Sequence, residues 1–249
     1  MHPITTPELA AAVTRVADVF AGQAAGPQET GCLFCYGEEE IAWLRDPGAP
    51  LPDEFVLHVA REVPSHWTDN AAVMRRILPR LAVLVAEGER VSDADGLGLG
   101  GASWQEWPGH QAEAVRVFLD AYWAAALHEP LPAHTFLDLF GFCEEAHGSP
   151  TPCLARWESE TGPVADAHLL DFVEDRIDDL LSPARTYTSQ GGWVTADPRP
   201  DAELISWVLH HAAPRIGARG DAGPDLLYRL DQLALPEEQR WADMPLSGR

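Results

Sequence analysis

Residues 166–181 read DAHLLDFVEDRIDDLL, and this stretch decides the fold. At 100° per residue, Leu169, Leu170, Val173, Ile177, Leu180 and Leu181 form one stripe. Asp171, Glu174, Asp175, Asp178 and Asp179 gather on the other side. A strand, with its period of two, would scatter both sets over both faces. The spacing therefore predicts an amphipathic helix from about Pro163 to Leu181.

The same period recurs outward in both directions. Toward the N-terminus, Leu9, Val13, Val16 and Phe20 share a face of a helix that begins at Pro7 with Thr6 as its N-cap. Phe55, Val59 and Val63 line a second, starting near Pro52. A third runs from about Asn70 to Ala86 with Pro79 inside it, where a kink is expected. Long helices follow Pro108 and Pro132. Toward the C-terminus, Leu204, Ile205, Val208 and Leu209 mark one helix and Leu226, Leu227, Leu230 and Leu233 another. Strand alternation is nearly absent, and the stretch TYTSQGGWV is less regular. The expectation is an all-α fold, an irregular stack of antiparallel helices of helical-repeat (HEAT-like) or orthogonal-bundle type. It is expected to form a single domain over 1–249, with any subdivision near 88–101.

That connector, EGERVSDADGLGLGG, contains a Gly-x-Gly-x-x-Gly pattern at Gly96, Gly98 and Gly101. A dinucleotide site needs such a turn between a buried strand and a helix. Here a polar run precedes it, so the pattern is not read as one.

Composition excludes further chemistry. The chain of 249 residues holds 17 basic side chains, all of them arginine, against 39 acids, for a formal net charge of −22. Without lysine there is no Schiff-base amine and no phosphate-loop lysine. So negative a field repels phosphate backbones, so nucleic acid is not an expected partner. No stretch approaches the roughly 20 apolar residues of a membrane span. The start lacks the pattern of a secretory signal, so a cytoplasmic location is expected. Four cysteines in a chain of this size do not form a disulfide framework.

Two groups of residues are candidates for function. Cys32 and Cys35 stand three apart, a spacing that presents two sulfurs to one zinc ion. A closed site needs two more ligands, for which Cys143, His147 and Cys153 or, nearer in sequence, His66 are available. The competing account has the two cysteines packing into the core at the mouth of a helix. No other cofactor is expected. The second group is Asp171, Glu174, Asp175, Asp178 and Asp179. Like charges at i,i+4 repel, and Asp178 and Asp179 also sit near the negative end of the helix dipole. Such a face is solvated, neutralised by distant arginines, or turned to a basic protein. The last implies a non-enzymatic interaction module, such as an immunity or neutralising partner of a basic effector. The alternatives are a divalent-metal-dependent helical enzyme using these carboxylates, and a structural subunit of a larger assembly.

Three segments carry a resemblance: CLFCY, WTDNAAVMRRILPRL and LGGASWQEWPGHQAEAVRVFLDAYW. Together they resemble a family of uncharacterised bacterial all-helical proteins. That family pairs a CxxC-like segment, here Cys32 and Cys35, with a helix containing a leucine–proline–arginine element, here Leu78–Pro79–Arg80. A tryptophan–proline step, here Trp107–Pro108, then opens a long helix. The resemblance covers about residues 30–127 and implies a helical fold without implying an activity.

Overall fold

The computed structural model describes residues 6–88, 92–182, 185–187, 193–195 and 201–240. The fold is all-α, and the chain gathers into two compact units, Met1–Arg156 and Trp157–Arg249.

The first unit opens with α1 (Pro7–Val19), capped as expected by Thr6, whose hydroxyl accepts the Leu9 N–H at 3.1 Å. Then come α2 (Glu38–Arg45), α3 (Asp53–Ala60) and α4 (Asn70–Ala86). Helix α3 stops short of Val63, which is exposed. Helix α4 is continuous through Pro79, and Asp69 caps it by accepting the Ala72 N–H at 2.9 Å. Arg80, beside that proline, forms a two-pronged pair with Asp53 at 2.7 Å on each arm, tying α4 to the first turn of α3. The unit continues with α5 (Leu97–Gly100), α6 (Gly109–His128) and α7 (Ala133–His147). α1 packs on α4 and α6, and α6 on α7. Trp107, from the tryptophan–proline step, is buried; its indole N–H donates to the Ala102 carbonyl, and Arg75 lies 4.5 Å above its ring.

The glycine-rich connector is no loose linker. Its described part folds into a 3-10 turn (Asp93–Gly96) and α5, both packed on α7 inside the first unit. A methyl group on Gly96 would meet the Phe142 carbonyl oxygen at 2.3 Å, and one on Gly100 the Glu145 oxygen at 2.0 Å. On Gly98 it would meet the Ala60 oxygen at 2.8 Å. These glycines are small because another backbone lies against them. Asp95 is fully buried, where the Arg61 guanidinium (2.6 Å) and the Ser92 N–H (2.6 Å) satisfy its carboxylate.

The division between the units falls within α8 (Thr151–Ser159). The second unit contains α9 (Pro163–Leu181), then the strands β1 (Arg185–Tyr187) and β2 (Trp193–Thr195). These pair antiparallel, with Thr186 opposite Val194. This hairpin corrects the expectation of an irregular stretch: three residues per strand are too few to show alternation. The link between the strands and the segment beyond Arg240 lie outside the described residues. After them come α10 (Ala202–Trp207), a π-helical turn (Val208–Ala212), α11 (Ala213–Arg219) and α12 (Pro224–Leu233). The widened turn leads into α11, whose second residue, Pro214, would set its ring against the carbonyl four residues back in a regular helix. Arg215 donates to the carbonyls of Trp157 (3.1 Å) and Glu160 (2.8 Å) and also contacts Asp166. Trp157 is buried against Phe172 and Trp207, and α9 packs on α11 and α12.

Candidate metal centre and acidic face

Helix α9 buries Leu169, Phe172, Val173, Ile177, Leu180 and Leu181. His168 is buried with them. Glu174, Asp175, Asp178 and Asp179 are exposed and Asp171 is half-buried, so the face predicted from period alone points outward. Two arginines touch it. Arg229 of α12 reaches Asp178 at 3.0 Å, and Arg176 lies 3.8 Å from its neighbour Asp175. Among the described residues, Asp171, Glu174 and Asp179 have no ion-pair partner. Nor do these carboxylates converge. Among the described residues, the one group of three Cys, His, Asp or Glu side chains whose ligand atoms lie within 4.8 Å of one another is elsewhere.

That group is Cys32, Cys35 and His66. The cysteines do not enter the core. They are half-buried in a turn before α2, closed by the Cys35 and Tyr36 N–H groups, both 3.0 Å from the Cys32 carbonyl. The residues between them face solvent, Leu33 at 77% and Phe34 at 97% exposure. His66 ends a separate 3-10 turn (Pro64–His66), and its Nδ1 lies 3.6 Å from the Cys35 sulfur. Of the partners considered from sequence, His66 is therefore the one brought to the pair. Cys143 and Cys153 are buried elsewhere, thiol against thiol, and burial pushes the Cys143 thiol well above its ordinary pKa.

A buried carboxylate that the sequence did not advertise aligns the two turns. Glu29 is 2% exposed and accepts the N–H groups of Gly31, Thr68 and Asp69, each at 2.9 Å. Burial alone would raise its pKa. The three backbone donors outweigh that and hold it below the ordinary value. The Arg45 guanidinium closes on the Glu29 carbonyl at 2.8 Å. Gly31 is left-handed, with φ of +58°, and a methyl there would meet Ile41 Cδ1 at 2.4 Å.

Glu62 completes the corner. One of its oxygens is 2.9 Å from His66 Nδ1, and the Tyr36 hydroxyl donates to the other at 3.4 Å. Tyr36 is buried against Trp67, with ring centres 4.6 Å apart. Burial first, then the Glu62 charge, raises its phenol pKa. The two thiols are unequal. The Phe34 N–H, aided by the Cys35 thiol and N–H, favours the Cys32 thiolate and lowers its pKa. Cys35, whose thiol bonds to Cys32, is pushed up to about 11. Tertiary contact joins Glu29 to Thr68 and Asp69 and Glu62 to Tyr36, whereas Glu62 and His66 stand four apart and could have drawn notice.

No helix among the described residues is long and apolar enough to cross a membrane. No protein-family model, curated protein or solved structure matches the chain.

Proposed function

We propose that this chain is a non-enzymatic helical interaction protein that docks a basic protein partner through Asp171, Glu174, Asp175, Asp178 and Asp179 of α9. One observation carries the proposal: a row of carboxylates at i,i+4 spacing stands outward from a helix whose opposite face is buried. The row meets two cations among the described residues. Each like-charged pair costs a few tenths of a kcal/mol in an isolated chain. A basic surface removes that repulsion on binding, and the net charge of −22 speeds its approach. A protein that neutralises a basic effector, as an immunity protein does, is the finer form of the same proposal.

The test is affinity capture from the native lysate at low and moderate salt. The wild-type chain is set beside a variant carrying Asp171→Asn, Glu174→Gln, Asp175→Asn, Asp178→Asn and Asp179→Asn. A basic protein held by the wild type, released by salt and not held by the variant supports the proposal. Recovery of no basic protein, or equal recovery by both chains, overturns it.

A further inference from the structure

The geometry points to a zinc site in the first unit formed by Cys32 Sγ, Cys35 Sγ, His66 Nδ1 and the Glu62 carboxylate. Zinc takes sulfur at about 2.3 Å and nitrogen or oxygen at about 2.0–2.2 Å, which places tetrahedral ligands about 3.3–3.8 Å apart. The two sulfurs and the imidazole nitrogen already lie within 4.8 Å of one another, and Cys35 and His66 are 3.6 Å apart. Glu62 stands outside that group of three, and its carboxylate, in contact with His66, would turn in as the fourth ligand.

Three further observations favour a metal over chance proximity. First, the ligands come from two turns that one carboxylate holds in register, because Glu29 binds backbone N–H groups on both sides of the corner. A site assembled before the ion arrives loses less entropy on binding. Second, His66 Nδ1 is a neighbour of both the Cys35 sulfur, at 3.6 Å, and a Glu62 oxygen, at 2.9 Å. Third, Tyr36 donates to the second oxygen of Glu62. An outer partner of this kind orients a ligating carboxylate.

Two sulfurs and an imidazole select a borderline-soft ion and disfavour magnesium or calcium. Binding replaces the protons on the two thiols with the metal and releases them to solvent, so uptake weakens as pH falls. Four protein ligands leave no open coordination position. The site is structural: it fastens the Cys32–Cys35 turn to the Pro64–His66 turn.

The experiment uses the full chain, reduced and stripped with a chelator, then titrated with cobalt(II) and afterwards with zinc. The expected result is one equivalent of cobalt with sulfur-to-metal charge-transfer absorption and intense tetrahedral d–d bands, displaced by one equivalent of zinc. Cys32→Ser and His66→Ala lose that spectrum while keeping the helical circular dichroism of the metal-free wild type. Glu62→Gln keeps the sulfur band and binds zinc more weakly, by at least the roughly tenfold that loss of an outer partner costs. Wild-type protein that shows no charge-transfer band and retains no zinc through gel filtration overturns the site. Zinc affinity unchanged in Glu62→Gln overturns the four-residue assignment.

Discussion

The Cys32–Trp67 corner and the outward face of α9 are opposite kinds of surface. At the corner, polar groups meet internal partners supplied by Glu29, Arg45, Glu62 and Tyr36. On α9, acids stand in rows that the described residues meet with two arginines. The corner is built by long-range contact and its chemistry is inward. The α9 face is built by local periodicity, and its charge is directed at whatever approaches. A stability measurement reports on the first kind of surface and is nearly blind to the second, whereas a binding measurement reverses that order.

The largest expected effect tests the corner. Glu29→Ala leaves three N–H groups without their acceptor and should cost about 3 kcal/mol in denaturant unfolding. A loss below about 1 kcal/mol would show that the turns hold themselves together. Gly31→Ala follows, at about 2 kcal/mol, because a methyl there combines a left-handed backbone with overlap on Ile41. Unchanged thermal stability would contradict the close approach.

Acid titration sharpens the comparison next. The folded pKa of Glu29 lies below its ordinary value of 4.5, so its contribution is complete above that value. It is lost as pH falls through the folded value. The stability gap between wild type and Glu29→Gln, about 1–2 kcal/mol at neutral pH, should therefore shrink on acidification below pH 4.5. A gap that stays flat or widens contradicts the assignment. On α9 the effects are smallest. Asp175→Asn relieves repulsion from Asp171 and Asp179 and should stabilise by a few tenths of a kcal/mol in low salt. Asp178→Asn gives up the Arg229 contact and should fall on the other side of zero. Equal shifts in the two variants would show that neither neighbourhood is felt.

The same contrast explains what the sequence disclosed. The start of α1 at Thr6–Pro7, the span of α4 from Asn70 to Ala86 and both faces of α9 follow from capping and period, which neighbouring residues determine. The CxxC spacing was equally visible. Its partners were not, since Cys35 meets His66 across 31 positions and Glu29 meets Asp69 across 40. The packing of the connector at 88–101 was hidden for a different reason. Glycine suits a flexible linker and a tight backbone contact equally well, and composition does not distinguish them. The Phe142 and Glu145 carbonyls do.

That last contact bears on anyone wishing to cut, tag or permute this polypeptide. By eye, the Gly96–Gly101 run is the obvious place to nick the chain or graft a fusion. Its glycines instead act as bearing surfaces against a neighbouring rod, and an insertion there would prise the helices apart. A protease added to the folded protein should leave this run whole.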